Sequence, residues 1–246
     1  MRTMKPGYIL WLSVGLIAFS RDAFGQKSGL NFVDLNFEQA TIVYDPSNTL
    51  GVYARDAIPG WTVGNDFLGT NDILYNELSL GAPSVSLCGP NSEGNLSPTP
   101  APLDGTYSID LYGGVPGETY PQLGISLSQT ALVPVGAESI FFIGKSFSGT
   151  LLVSLGGQNI TYTAVSTGPD YTLYGGNIPP VFAGQIETLT FNAPIGANNY
   201  WELDDIQFSA SPVPEPDVFS IFGIGTLLFC HMRNLRVHLW LNKLWG

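Results

Sequence analysis

The sequence is poor in cysteine and histidine, and each shortage excludes a class of chemistry. Its two cysteines, Cys88 and Cys230, lie in different parts of the chain and cannot form a disulfide framework. Both histidines, His231 and His238, lie near the C-terminus. Residues 1–230 therefore provide no Ser-His-Asp triad, no Cys-His pair and no histidine-ligated zinc site.

Basic residues are also scarce in the long central part of the chain. Between Gln26 and Ser211 there are three, Lys27, Arg55 and Lys145, against 17 acidic residues, which gives a net charge of −14. A surface of this charge repels nucleic acid and anionic lipid, stays in solution and attracts divalent cations. We therefore expect no nucleic-acid partner.

The central part is instead rich in the residues that form strands and turns. Among 246 residues there are 29 glycines and 18 prolines, and only 12% of the residues are charged. Short runs rich in β-branched and aromatic residues alternate apolar with polar side chains, and Gly, Pro and Asn clusters bound them. Such runs occur at 31–38, 105–114, 123–128, 139–144, 150–155, 159–165, 187–193 and 200–208. This pattern predicts one all-β domain over residues 26–209, a two-sheet antiparallel β-sandwich with negligible helix.

The N-terminus has the three parts of a cleaved secretory signal. Arg2 and Lys5 precede the apolar run "YILWLSVGLIAF", and "RDAFGQ" follows it with small residues at the positions that signal peptidase reads. The run has 12 residues, which is short for a membrane anchor. We predict that residues 1–25 are a signal peptide, cleaved between Gly25 and Gln26, and that the protein is exported across the inner membrane.

The C-terminal segment, residues 210–246, has a second set of export features. "SPVPEP" is an extended linker because proline fixes φ and disfavours helix in the residue before it. An apolar stretch from Val218 to Cys230 predicts a short hydrophobic helix of about 20 Å, and Arg233 and Arg236 follow it. By the positive-inside rule, these arginines stay on the cytoplasmic side.

This order of elements resembles the PEP-CTERM sorting signal of exported bacterial proteins. Pro214, Glu215 and Pro216 match its triplet, and Arg233 and Arg236 match its basic end. The resemblance implies that the membrane peptidase exosortase recognises the triplet, cuts beside it and passes the protein to the cell surface or extracellular polysaccharide. The chain departs from the family pattern in the extension "VHLWLNKLWG" at residues 237–246, which is either a short amphipathic anchor or an accidental extension past an older stop.

The central domain resembles the galactose-binding-like jelly rolls of secreted bacterial proteins. The pieces "NFVDLNFE", "AIPGWTV", "YSIDLYG", "ISLSQTALVPVGAESIFF" and "WELDDIQF" occur in the order found there. In many members an acid on the first strand and one on the last hold a structural calcium, and Glu38, Asp204 and Asp205 are the matching positions. Carboxylate oxygens suit Ca²⁺, although three ligands are fewer than the six to eight that it takes. No other cofactor is expected.

Three functions are compatible with such an exported domain. The first is a non-catalytic surface or matrix protein associated with extracellular polysaccharide, and the second is a carbohydrate-binding module whose exposed aromatic rings stack on sugars. The third, a glycosidase with two carboxylates, has no motif that selects a pair. We predict the first, with the second as its alternative. The aromatic candidates for sugar contact are Trp61, Tyr112, Tyr120, Tyr171 and Tyr174.

Overall fold

In a computed structural model of the protein, the described residues are 31–79, 81–90, 101–117, 123–196 and 199–213. Thirteen strands, one short helix and one 3₁₀ turn lie in these ranges. They are β1 (Gly51–Tyr53), α1 (Ala54–Ala57), β2 (Thr62–Gly64), β3 (Asp72–Tyr75), β4 (Ser84–Cys88), β5 (Ser108–Tyr112), β6 (Ile125–Leu132), β7 (Ser139–Ser148), β8 (Leu152–Leu155), β9 (Gln158–Ile160), β10 (Tyr162–Thr167), β11 (Thr172–Asn177), a 3₁₀ turn (Pro180–Phe182), β12 (Ile186–Ala193) and β13 (Tyr200–Ser209).

The strands form two sheets that pack face to face. The eight-stranded sheet has the order β1-β3-β4-β5-β13-β7-β11-β10, and the five-stranded sheet has the order β2-β6-β12-β8-β9. From β5 to β8 the chain crosses between the sheets at every step, as in a jelly roll. The predicted β-sandwich is confirmed, with one departure from antiparallel pairing, because β3 and β4 run parallel.

Helix makes up very little of the described chain. Ala54–Ala57 is a single turn, and no helix among the described residues is long and apolar enough to span a bilayer. The predicted hydrophobic helix at 218–230 lies outside these residues.

The strands β6 and β12 show how alternation produces the sandwich. They pair over eight residues, from Ile125 opposite Ala193 to Leu132 opposite Ile186. Along β6, Ile125, Leu127, Gln129 and Ala131 are buried, whereas the Ser and Thr residues between them are more exposed. Side chains with a period of two thus place one face of the sheet in the core and the other in water.

Aromatic rings fill the space between the sheets. Phe142 of β7 lies 5.4 Å from Phe191 of β12, and Phe191 lies 6.4 Å from Trp61, measured between ring centroids. The side chains of Phe142 and Phe191 are fully buried. Each such ring contributes about 1.5–3 kcal/mol through burial, so the core can stabilise the domain without a disulfide.

Residues 31–38 do not form the strand that their alternation predicts. Asp34 and Phe37 have positive φ values of 49° and 55°, and the segment is a series of turns. The Asp34 carboxylate accepts a hydrogen bond from the Gln39 N–H at 2.9 Å, which closes one of these turns. Phe37 is nevertheless fully buried, because the turns direct this ring into the core.

This turn segment is attached to the last strand through a β-bulge. The pairing of β13 with β7 shifts register between Asp204 and Gln207, and Asp205 has a φ of 47°. The bulge turns the Ile206 N–H away from β7, so that it donates to the Leu35 carbonyl at 2.9 Å. The segment that carries Glu38 is thereby held beside β13.

Asp66 fixes the start of β4 through backbone contacts. Its carboxylate accepts hydrogen bonds from the Val85 N–H at 2.6 Å and from the Leu68 N–H at 2.8 Å. Burial raises the pKa of Asp66 to about 7, although both N–H donors act to lower it. The folded protein therefore retains a proton on Asp66 that the unfolded chain releases above a pKa of 3.8.

We expect this proton to make stability fall as pH rises. The contribution is fully present below about pH 4 and is lost by about pH 7, because only the unfolded state gains from ionisation in that window. Urea unfolding of the wild type and of Asp66→Asn at pH 4 to 8 measures it. The wild type should lose up to about 4 kcal/mol relative to the variant. Parallel stability curves for the two proteins would contradict the assignment.

Candidate functional site

The outer face of the eight-stranded sheet, which is turned away from the five-stranded sheet, carries polar side chains that are buried. Along β4, β5 and β13, core residues such as Leu87, Ile109 and Leu203 alternate with polar ones. The polar positions on the outer face are Ser84, Ser86, Cys88, Ser108, Asp110, Glu202 and Asp204, and all are at most 1% exposed. A buried polar sheet face is unusual, because polar residues on strands normally contact water.

Glu38, one of the predicted calcium ligands, binds the backbone of the loop before β5. Its Oε1 accepts hydrogen bonds from the Thr106 N–H at 2.6 Å and the Tyr107 N–H at 3.0 Å. Gly105 makes this approach possible, because its φ is 61° and a Cβ at this position would collide with the Glu38 carboxylate.

Asp204, the second predicted ligand, binds the same loop from the sheet. Its Oδ2 accepts from the Asp104 N–H at 3.3 Å, and its Oδ1 accepts from the N–H of Asp205 at 2.7 Å. Burial, together with the neighbouring carboxylates of Asp205 and Asp104, raises the pKa of Asp204 to about 8, although the two backbone N–H donors act to lower it. Several carboxyl groups thus lie around a loop that Glu38 also contacts.

The structure brings Glu38 and Asp204 to one loop but does not gather all three predicted ligands. Asp205 lies beside Asp204, half-buried at the bulge. The carboxylate oxygens of these three residues do not all lie within 4.8 Å of one another. Within the described ranges, only one set of three possible ligands is that compact, and it consists of Cys88, Asp110 and Glu202. The calcium site stays a prediction.

The sequence analysis did not identify the set of Cys88, Asp110 and Glu202, which we call the sheet-face cluster. The signal for it was present, since "YSIDLYG" and "YWELDDIQF" each place an acid at the centre of a strand. Asp110 and Glu202 are direct cross-strand partners on β5 and β13, and Ser86 of β4 is opposite Asp110. Alternation shows that these residues share a face but does not show that the face is buried.

Burial raises both carboxyl pKa values in the sheet-face cluster. Burial raises the pKa of Asp110 well above its ordinary value, and the nearby Glu202 raises it further. Burial raises the pKa of Glu202 to about 7, against the lowering effects of the Ser108 hydroxyl and the Lys145 ammonium. Two buried acids beside each other therefore retain protons near neutral pH.

Beside these acids, the outer face carries a group of three rings, which we call the aromatic surface. Phe147 is stacked on Tyr200 with 4.4 Å between centroids and 13° between planes, and Tyr112 meets Tyr200 edge-on at 6.5 Å. Phe147 is 45% exposed, and the Lys145 ammonium lies 5.5 Å from its ring centroid. Phe147 faces outward because side chains alternate along β7, which places it on the same face as Lys145, the partner of Glu202.

Of the aromatic residues named from the sequence as sugar contacts, only some are accessible. Trp61 is in the core, where its Nε1 donates to the Asp34 carbonyl at 3.0 Å, so the prediction for Trp61 is wrong. Tyr174 packs against the core with its ring 5.3 Å from Phe142. Tyr112 is half-buried, Tyr171 is 38% exposed, and Tyr120 lies outside the described residues.

The sorting and cleavage residues also lie outside the described residues. These are Gly25 and Gln26 at the N-terminus and Pro214, Glu215, Pro216, Arg233 and Arg236 near the C-terminus. Their roles stay predictions from the sequence.

Comparisons with known proteins give only distant likenesses. No family model matches the chain, and no curated protein matches it. Among solved structures, the chain is similar to TmCBM61 in complex with beta-1,4-galactotriose, with 16% identity, a TM-score of 0.38, and coverage of 74% of this chain and 99% of that one. A second similar structure is a cyclase from Fischerella sp. TAU in complex with 4-(1H-indol-3-yl)butan-2-one. It has 18% sequence identity and a TM-score of 0.39, and the match covers 76% of this chain and 98% of that one.

The K1 cleaved adhesin domain of Lys-gingipain from Porphyromonas gingivalis W83 is a third similar structure. It has 13% sequence identity to this chain and a TM-score of 0.33, and the match covers 66% of this chain and 98% of that domain. At such identities and TM-scores, these likenesses assign no function to the chain.

If Glu38, Asp204 and Asp205 hold a calcium ion, millimolar Ca²⁺ should raise the melting temperature above its value in EDTA. At 100 times the dissociation constant, binding to the folded state alone stabilises it by about 2.7 kcal/mol. Asp205→Asn should reduce the calcium response, whereas the exposed Asp170→Asn should retain it. Identical melting curves of the wild type in EDTA and in calcium would refute the site.

Proposed function

We propose that the protein is an exported, non-catalytic β-sandwich protein that associates with polysaccharide at the cell surface or in the extracellular matrix. The observation that carries the association with polysaccharide is the aromatic surface, with Phe147 stacked on Tyr200 and accessible from solvent. An exposed ring offers the apolar face of a sugar a contact that needs no deep pocket. The rings lie on paired strands, which hold them in place.

Export and sorting rest on the two ends of the sequence. Signal peptidase removes residues 1–25, and exosortase recognises Pro214-Glu215-Pro216 while the apolar segment holds the chain at the inner membrane. Arg233 and Arg236 resist translocation, so the segment stops with the triplet just outside the membrane. The extended conformation that proline imposes suits a protease, since proteases bind substrates as extended strands.

The charge of the exported domain agrees with a matrix role. With a net charge of −14 between Gln26 and Ser211, copies of the domain repel one another and stay dispersed in a hydrated polymer. The acidic groups around Asp204 also offer divalent cations a place to bridge domain and polymer.

The two carboxyl groups of the sheet-face cluster, whose pKa values are raised, give little support to a catalytic function. Asp110 and Glu202 are 0% exposed, and their oxygens take hydrogen bonds from Cys88, Tyr200 and Ser108. A glycosidase needs two carboxyl groups that reach opposite sides of a bound glycosidic bond. A pair enclosed in the sheet does not meet that requirement.

The alternative is a carbohydrate-binding module that recognises one defined glycan. The same aromatic surface supports it, because orientation of Phe147, Tyr200 and Lys145 by adjacent strands can select a sugar. A glycan array distinguishes the two functions. Retention by many acidic or neutral polymers indicates a matrix protein, whereas binding to one glycan class indicates the module.

We expect Phe147→Ala to weaken polysaccharide binding measured by affinity electrophoresis in the extracellular polymer of the host. Loss of one ring contact costs about 1 kcal/mol, which corresponds to about a fivefold weaker association. Tyr44→Ala is the matched control. Tyr44 is 62% exposed and lies beside β1, at the edge of the eight-stranded sheet that is far from Phe147. Equal retention of the two variants and the wild type would contradict a role for the aromatic surface.

We expect replacement of Pro214, Glu215 and Pro216 by alanine to leave export intact and to trap the protein in the inner membrane. Exosortase would lose its recognition site, while the signal peptide and the apolar segment are unchanged. The measurement is cell fractionation with intact-mass analysis in a host that has exosortase, with Pro212→Ala as control. Equal amounts of tail-free surface protein from both variants would show that the triplet is only a spacer.

A further inference from the structure

The sheet-face cluster joins three neighbouring strands at one buried point. Cys88 ends β4, Asp110 lies in β5 and Glu202 lies in β13, and the register places Asp110 directly opposite Glu202. The sulfur of Cys88 and one carboxylate oxygen of each acid all lie within 4.8 Å of one another. All three side chains are 0% exposed.

Each acid of the cluster has one oxygen that is satisfied and one that is not. Oδ2 of Asp110 accepts from the Cys88 thiol and from the Tyr200 hydroxyl, both at 2.8 Å. Oε1 of Glu202 accepts from the Ser108 hydroxyl at 2.6 Å. Oδ1 of Asp110 and Oε2 of Glu202 are buried and have no hydrogen-bond partner in the described part of the chain. An unsatisfied buried oxygen is costly, and two of them in one cluster indicate a missing ligand.

The chemistry of the donors selects the class of that ligand. Two carboxylates and a thiolate attract a cation, and the sulfur favours a borderline-soft metal over Ca²⁺ or Mg²⁺. Zn²⁺ binds sulfur at about 2.3 Å and carboxylate oxygen at about 2.0–2.2 Å, so its tetrahedral ligands lie roughly 3.5 Å apart. The sulfur of Cys88 and one carboxylate oxygen each of Asp110 and Glu202 lie within 4.8 Å of one another, so the cluster is compact enough to surround one such ion.

We propose that Cys88, Asp110 and Glu202 bind a divalent cation of the Zn²⁺ class inside the eight-stranded sheet. Binding replaces the thiol proton of Cys88 and any carboxyl proton, so the metal balances charge that protons otherwise balance. The Tyr200 and Ser108 hydroxyls hydrogen-bond the two carboxylates and so orient them as a second layer of contacts. The ion joins β4, β5 and β13 and thereby has a structural role.

Cobalt is a suitable probe, because Co²⁺ takes the same ligands as Zn²⁺ and a thiolate ligand adds a sulfur-to-metal charge-transfer band. The full-length chain is refolded from urea with Co²⁺ and a thiol-free reductant, since the site is buried. We expect one Co²⁺ per chain, visible absorption bands of the bound ion, a sulfur band in the near ultraviolet, and displacement by Zn²⁺.

Variants identify the ligands. Cys88→Ser should abolish the sulfur band, whereas Cys230→Ser, the matched cysteine control, should retain it. Glu202→Gln keeps the shape of the side chain and should weaken Co²⁺ binding at least tenfold, with a circular dichroism spectrum like that of the wild type. A wild type without a sulfur band, or a band that disappears in Cys230→Ser but not in Cys88→Ser, would overturn the proposal. If Cys88→Ser does not fold, Glu202→Gln and Cys230→Ser decide in the same way.

Discussion

The pairing of β13 with β5 on one side and β7 on the other is the constraint on which the eight-stranded sheet depends. Trp201 and Leu203 of this strand enter the core, and Glu202 and Asp204 enter the outer face. The bulge after Asp204 then directs the Ile206 N–H to Leu35 and so fixes the turn segment that carries Glu38. One strand thus positions core residues, the buried acids and the predicted calcium ligands.

The buried outer face explains why so many carboxyl groups have raised pKa values. Within the described residues the acids on this sheet are paired with hydroxyl and backbone N–H donors and not with arginine or lysine at salt-bridge distance. Such donors offset only part of the cost of removing a carboxylate from water. A bound proton or a bound cation offsets the rest of the desolvation free energy. Proton binding links the stability of the domain to pH, and cation binding links it to metal concentration.

The fold could be predicted further from the sequence than the site could. Alternation in the runs at 123–128, 187–193 and 200–208 follows directly from one buried face, so the sequence predicted part of β6 and nearly all of β12 and β13. The same alternation predicted a strand at 31–38, where the structure has turns with positive φ values at Asp34 and Phe37. It also missed the short strands β1, β3 and β4, which have three to five residues and are too short for alternation to identify. For the site, resemblance pointed to Glu38 and Asp204, whereas Asp110 and Glu202 needed the tertiary structure, because a sequence does not reveal which outer face is covered.

The position of β13 also sets an order on folding. Among the described residues, β13 is the last strand and it separates β5 from β7, so neither of them can acquire this neighbour until residue 209 is available. A chain that crosses a membrane from its N-terminus therefore emerges with the eight-stranded sheet still divided in two. Contacts between residues so far apart form slowly, because the loop entropy is lost before the pairing is gained. In the export that we propose, completion of the sheet would thus report that almost all of the domain has been translocated.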